Sequence, residues 1–412
     1  MTTFYRLMTS FAYRLVYPFG SLRASQGREF WRGRLGRIPS VGPKDVWIHA
    51  ASVGEARVIS YLVDYLRRCD TSISIHVTVM TETGFKTAGQ LLPHDVTLSY
   101  FPLDAVPAIR RTFERISPRV LVIAETEIWP NLISTANDRG VPIVLVNGRM
   151  SERARKRYRL IKGAMSNLLK VYDRFFFKTE ADAGRFSEFG VAEYKSVVAG
   201  DMKFDAPLLK RSEGRIREIR RRAGVKEDEF LLVAGSTRSG EEEQLVQCYL
   251  RLKKTHPQLR LLLAPRHIER CKDVSAMLLQ KDQPYYMYGA DDETDGIIVV
   301  NRMGLLNELY SACDAAFVGG TLVDVGGHNL LEPVWAGRPV LFGPSISNVE
   351  EAADYIAQGN YGTKVSSLTE LENMLDTMLN GNCSFAVKVE GDMALSATAR
   401  AGDYIMQRLH RD

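Results

Sequence analysis

Several common devices are missing from this 412-residue sequence, and each absence narrows what the chain can be. The five cysteines, Cys69, Cys248, Cys271, Cys313 and Cys383, are odd in number and never closer than the 23 residues between Cys248 and Cys271. That spacing excludes a CxxC metal site and a disulfide framework, and it suits a reducing compartment. No run of about 20 apolar residues exists, so no membrane-spanning helix is expected. A cleavable signal peptide is not expected either, because Arg6 and Arg14 interrupt the apolar start and no small-residue cleavage site follows. There is no Walker lysine motif and no GxGxxG fingerprint, which argues against an NTPase or a dehydrogenase. Solenoid-length repeats and low-complexity tracts are absent as well.

With 45% hydrophobic and 25% charged residues, the chain is long enough to bury two separate cores. Short β-rich runs alternate with helical stretches, the pattern of parallel sheets covered on both faces. Strands are predicted at 45–51, 73–79, 97–102, 120–125, 143–147 and 175–178, and again at 230–235, 259–264, 297–300, 315–318 and 340–342. Between the two sets lies a charged helical stretch, Lys210 to Arg222, with Gly224 as its stop signal. The predicted fold class is α/β, two doubly wound Rossmann-type domains facing across a cleft at the carboxyl ends of their strands. The boundary is expected near 206–228. This gives a first domain at 41–210, a second at 225–390, and a C-terminal helix in 391–412 placed to return to the first domain.

Charge is uneven along the chain. Residues 1–40 carry seven arginines against Glu29 alone, a net +6, while the remaining 372 residues sum to −1. Phe4, Leu7, Met8, Phe11 and Leu15 recur there at helical spacing. An arginine-flanked amphipathic segment suits the surface of an anionic inner leaflet, the alternative being a helix that packs on the protein.

The chemistry-bearing motifs follow predicted strands. Val318-Gly319-Gly320-Thr321 and Val325-Gly326-Gly327-His328-Asn329-Leu330-Leu331-Glu332-Pro333 put glycines between an apolar run and a helix start, an arrangement that reads as an anion seat. Asn329 and Glu332, three apart, form either a capping pair or a clamp for ribose hydroxyls. After the first strand, Ser52-Val53-Gly54-Glu55 delivers Glu55 to a helix start, as a general base or as an acid favouring the helix dipole. Glu125 and Glu127 end the fourth strand and would face one side of an extended backbone. Two acids alone, with no third ligand nearby in sequence, do not lead us to expect a metal. Lys203, in Gly200-Asp201-Met202-Lys203, is either a cleft cation or a solvated one. In Gly235-Ser236-Thr237-Arg238-Ser239-Gly240, hydroxyls and amides could hold a phosphate or stop a helix. Pro265-Arg266-His267 ends a strand with a guanidinium suited to phosphate, or to a structural salt bridge.

From Trp47 to Pro344 the chain resembles the 3-deoxy-D-manno-octulosonic acid (Kdo) transferases. The resemblance is carried by His49-Ala50-Ala51-Ser52-Val53-Gly54-Glu55, Glu125-Thr126-Glu127-Ile128-Trp129-Pro130-Asn131-Leu132, Asn147-Gly148-Arg149-Met150-Ser151, Gly200-Asp201-Met202-Lys203-Phe204-Asp205, Pro265-Arg266-His267 and the glycine segment ending in Glu332-Pro333. It implies a GT-B-type inverting glycosyltransferase that moves Kdo from CMP-Kdo to the lipid A precursor. It makes Glu55 the catalytic base, with Glu125 and Lys203 supporting the transition state. CMP would be bound by Pro265, Arg266, Met303, Gly304, Leu305, Asn329, Leu330, Leu331 and Glu332. The family commonly has an acid where Leu305 stands and a proline where Leu330 stands, so at Leu305 only main-chain contact is expected. The partners implied are CMP-Kdo, the lipid A precursor and the inner-membrane surface on its cytoplasmic side, where the protein would be peripheral or N-terminally anchored, with no cofactor, metal or nucleic acid. The cluster Arg153, Arg155, Lys156, Arg157 and Arg159 could dock an anionic lipid or be a solvated face. A UDP-sugar transferase and a non-catalytic nucleotide-binding protein at the membrane are the readings to be separated from this one.

Overall fold

The computed structural model describes residues 2–205, 212–290, 295–387 and 396–410. The expected domain limits at 210, 390 and 391, and the expected helix start at Lys210, lie outside them. The chain forms two compact units, Met1–Ala206 with Asp392–Asp412, and Pro207–Gly391.

In the first unit β1 (Lys44–Ala50), β2 (Ile75–Val79), β3 (Thr97–Tyr100), β4 (Pro118–Ala124), β5 (Ile143–Gly148), β6 (Arg174–Phe177) and β7 (Ser196–Val198) form a sheet in the order β3-β2-β1-β4-β5-β6-β7. All of its pairings are parallel. Alternate residues of β1 enter different cores: Val46, Ile48 and Ala50 on one face, Trp47 on the other. Burial on both faces explains why the strands read as continuous apolar runs. The order reverses between β1 and β4, which makes their carboxyl ends the switch point of the sheet, where doubly wound folds take ligands. The helix Ala397–Leu409 packs on the helix Val53–Cys69 of this unit through Ala401 and Ile405.

The second unit repeats the plan with β8 (Phe230–Thr237), β9 (Leu259–Pro265), β10 (Tyr285–Met287), β11 (Ile297–Val299), β12 (Ala315–Val318), β13 (Val340–Phe342) and β14 (Gly362–Lys364). Their order is β10-β11-β9-β8-β12-β13-β14, all parallel, with the reversal between β8 and β12. Thus the α/β class and its two doubly wound sheets form as the alternation of runs predicts. Strands β7, β10 and β14 went unrecognised in the sequence. Each has three residues and lies at a sheet edge, where one neighbour and partial cover demand no apolar run.

The N-terminal helix spans Thr2–Ser25 and is amphipathic in an unusual sense. Tyr13, Gly20 and Ala24 face the protein, whereas Phe4 is 70% and Leu15 68% exposed, with Leu7, Met8, Phe11, Phe19 and Leu22 also outward. No helix among the described residues is long and apolar enough to cross a membrane.

Candidate active site

The helix after β1 begins at Val53 with Ser52 as its N-cap. Ser52 Oγ accepts the Glu55 N–H at 3.2 Å and donates to Glu55 Oε1 at 2.9 Å, while Ala51 N–H donates to Oε2 at 2.7 Å. Glu55 therefore stands at the third helical position in a variant of the capping box, its carboxylate taking the amide one residue before the cap. Each carboxylate oxygen keeps a second lone pair, so capping and proton acceptance are compatible, and the cap holds the side chain in one orientation.

Across the switch point, Glu125 follows β4 with a left-handed backbone, φ 55°. The two acids of that loop therefore do not share one extended face as the sequence suggested. Nor does either cap the next helix, whose N-cap is Trp129 without a side-chain bond. Glu125 Oε2 pairs with Arg149 Nε at 2.7 Å. Burial raises its pKa, with Arg149 and Lys178 opposing and Glu55 and Asp201 reinforcing the shift. Lys203 is held through Asp201: its Nζ lies 3.4 Å from Asp201 Oδ2, which also pairs with Lys178 Nζ at 2.6 Å. The structure thus brings Glu55, Glu125 and Glu127 together with Lys178 and the Asp201–Lys203 arm at the carboxyl ends of β1, β4, β6 and β7. The sequence assigned no role to Arg149, quoted only within its motif, or to Lys178, though each stands immediately after a buried strand, which is a readable signal. Among the described residues no group of three or more acids, histidines or cysteines is arranged to hold a metal ion.

Burial first, and then the Glu55 charge, push the Glu127 carboxyl from 4.5 up to about 7. A carboxyl raised by folding contributes stability that is complete below its unfolded pKa and lost as pH rises through the folded one. Glu127→Gln should therefore melt increasingly above wild type as pH goes from about 4.5 to about 7, with the gain retained at pH 8. Thermal melts at pH 4, 6 and 8 measure this; a difference independent of pH would refute it.

In the second unit the glycine-rich loop departs from the expected anion seat. The amides of Gly320, Thr321 and Leu322 donate to the Glu241 carboxylate at 2.7, 3.0 and 2.9 Å, and Arg238 N–H donates to it at 2.8 Å. Glu241 is 0% exposed, so the anion in this seat is the protein's own. Gly326 N–H goes to Ser345 Oγ and Gly327 N–H to Gly320 O, and the helix beyond is only Leu331–Trp335. Gly326 and Gly327 are needed for another reason. Both have φ near +90°, and a Cβ would meet Asn348 or Val349 at about 2.5 Å.

Open space lies beside this loop. A cavity of about 380 Å³ is lined by Ser236, Arg266, Gly304, His328, Asn329 and Glu332. A smaller recess of about 90 Å³ adjoins it, lined by Pro265, Arg302 and Met303 together with Ser236, Arg266 and Gly304. These residues gather at the ends of β8, β9, β11 and β12. Leu330 and Leu331 are core side chains, and Leu305 is half-buried at the start of the helix Leu306–Ala312, so no side chain of these three lines the cavity. Asn329 and Glu332 are bonded to each other at the helix start: Asn329 Oδ1 accepts the Leu331 N–H at 3.2 Å and its Nδ2 donates to Glu332 Oε1 at 3.1 Å, while the N-cap itself is Leu330 without a side-chain bond. Burial raises the Glu332 pKa against Asn329 and Arg266. Of the small polar turn after β8, Thr237 is committed to Glu242. Ser236, strained at φ 56°, faces the cavity instead. Arg238 Nε donates to His328 Nε2 at 3.0 Å, and burial, then the Arg238 and Arg266 charges, lower the His328 pKa.

The basic cluster on the helix Glu152–Arg159 divides in two. Arg155 and Arg159 are tied to Glu188, and Arg155 also to Glu152, while Arg153, Lys156 and Arg157 are exposed.

Residues 29–206 match a family model described as 3-Deoxy-D-manno-octulosonic-acid transferase (kdotransferase). The chain is 32% identical to the 3-deoxy-D-manno-octulosonic acid transferase of Haemophilus influenzae, over 88% of this chain and 87% of that protein. It is 34% identical to a bifunctional glycosyltransferase/methyltransferase of Fusobacterium nucleatum over 81% of its length, and spans about half (52%) of that relative. A UDP-GlcNAc 2-epimerase structure from Neisseria meningitidis superposes with a TM-score of 0.53, covering 89% of this chain and 100% of that one at 11% identity, a likeness of fold alone.

Proposed function

The chain belongs to the 3-deoxy-D-manno-octulosonic acid transferase family and is a glycosyltransferase, and from that premise we propose that it moves Kdo from CMP-Kdo to the lipid A precursor, lipid IVA, with inversion. The observation that carries this reading is that each unit has polar groups at its own switch point: a cavity containing Arg266 in the second unit, and an acid cluster containing Glu55 in the first. In the reaction an acceptor hydroxyl oxygen bonds to the anomeric carbon, the bond from that carbon to the CMP phosphate oxygen breaks, and Glu55 takes the hydroxyl proton. CMP departs as a phosphate monoester. Arg266 offers a planar pair of donors to that phosphate, and Lys203, held by Asp201, is the cation beside the acid cluster of the first unit. Asn329, Glu332 and the main chain at Met303–Leu305 and Leu330–Leu331 hold the nucleoside.

The acceptor is an acylated, phosphorylated lipid, and the N-terminal helix suits the surface where it resides. Its apolar stripe faces outward, and Arg14 and Arg28 are exposed beside it. We place the protein on the cytoplasmic side of the inner membrane, lying on the surface.

Incubating the purified protein with CMP-Kdo and lipid IVA, and weighing the lipid by mass spectrometry, tests the reading. A lipid of unchanged mass, or tighter binding of UDP than of CMP in direct titration, overturns it. Arg266→Ala should raise the KM for CMP-Kdo about 10- to 100-fold, the worth of a charge-assisted hydrogen bond to phosphate, without altering the fold. Initial rates across donor concentrations measure this, and an unchanged KM would remove Arg266 from the donor site.

A further inference from the structure

The inward side of the N-terminal helix is joined, by hydrogen bonds that the reaction above does not use, to the helix that follows the acid-bearing loop and to the residue that caps it. The loop Glu125–Trp129 runs from β4 to the helix Pro130–Asp138, which has proline at its first turn and no side-chain cap of its own. Asp104, from the turn after β3, supplies the cap from a distance. Its Oδ2 accepts the Asn131 N–H at 3.1 Å and its Oδ1 the Leu132 N–H at 3.0 Å. A carboxylate there satisfies orphan amides and favours the helix dipole.

The same Oδ2 accepts the Tyr5 hydroxyl at 3.1 Å. Asn131, fully buried, donates from Nδ2 to Thr9 Oγ1 at 3.0 Å and to Asp104 O at 2.6 Å. At the other end of Pro130–Asp138, Arg6 pairs with Asp138 at 2.7 Å. Tyr5 and Thr9 are one helical turn apart, and between and beyond them Phe4, Leu7, Met8 and Phe11 point outward. Trp129, at the junction, packs its ring 5.2 Å from Phe101. The acid loop is thus anchored by β4 at one end and, at the other, by a helix start whose cap is shared with the segment that carries the exposed apolar stripe.

We propose that Asp104 and Asn131 are positioning residues through which seating of the Thr2–Ser25 helix on an anionic lipid surface orders the Glu125–Glu127 loop. The proposal rests on the membrane-surface reading above. It makes turnover depend on the interface that presents the acceptor, through contacts that touch neither donor nor acceptor.

Hydrogen–deuterium exchange on the full chain, with and without acceptor-free vesicles of phosphatidylethanolamine and phosphatidylglycerol, tests it. In wild type, vesicles should slow exchange at the Asn131 and Leu132 amides about tenfold. The Tyr5→Phe/Thr9→Val variant keeps the outward stripe; it should bind vesicles equally yet lose that slowing, with a lower kcat and an unchanged KM for CMP-Kdo. The single Tyr5→Phe variant, which removes one hydroxyl, should show a partial loss. Protection of Thr2–Ser25 without any change at residues 131–132, or slowing that survives in the double variant, overturns the proposal. Failure of wild type to sediment with vesicles overturns it together with the membrane reading, whereas absence of transfer with the exchange response intact refutes the Kdo reading alone.

Discussion

Glu55→Ala is expected to lower kcat for transfer by about 10²- to 10⁴-fold, the usual worth of a positioned general base, while leaving the KM for CMP-Kdo nearly unchanged. The second half follows because the residues proposed to hold CMP, Arg266 and Asn329 among them, belong to the other unit. The alanine also removes the acceptor for Ala51 N–H and Ser52 Oγ, which should cost about 1 kcal/mol of stability as a lost cap. Two variants separate the roles. Glu55→Gln retains an oxygen for the Ala51 amide but cannot take a proton, so it should melt near wild type and be nearly as inactive as the alanine. Ser52→Ala weakens the cap but leaves the carboxylate, so it should lose stability and keep much of its rate. Steady-state kinetics and thermal melts on the three proteins measure this, and full transfer by Glu55→Ala would dismiss the base.

Glu241→Ala is expected to destabilise the second unit by about 4 kcal/mol or more and to abolish CMP binding. Four amides donate to this carboxylate, two of them buried and two part-buried, and each buried donor left without a partner costs about 1 to 3 kcal/mol, the part-buried ones less. Losses of this size are rare for a single substitution and arise from a broken buried network. The loop that Glu241 secures also presents His328 and Asn329 to the cavity, so the binding loss follows from the structural one. An anion seat emptied of its native occupant would give the opposite result: four freed amides would bind phosphate more tightly. Urea denaturation with CMP titration distinguishes the two. Near-native stability with improved anion binding would restore the glycine loop as a phosphate site.

That the polar strand ends of the second unit meet in one place was legible in the sequence because doubly wound folds gather strand ends at a switch point. Pro265, Arg266, Met303, Gly304, Asn329 and Glu332 follow different strands and line two adjoining recesses. Ser236 was visible as part of a small polar turn, but its φ of 56° and its place in the cavity wall were not. On the acid side the sequence left Glu55 as base or cap, and the bonds to Ser52 and Ala51 show the cap geometry without excluding the base. It also left Glu125 and Glu127 on one face, which a single left-handed residue prevents.

The sequence alone determined the two parallel sheets, the strand ends that carry polar groups, and the amphipathic start of the chain. All three follow from local periodicity, since apolar spacing dictates which face of a strand or helix must be buried. Only the tertiary structure decided that the amides from Gly320 to Leu322 donate to Glu241, 79 residues upstream of Gly320, and that Asp104 caps a helix 27 residues downstream. Buried amides must be satisfied by whatever acceptor the fold brings near, and a partner so remote leaves no spacing in the chain from which it can be read.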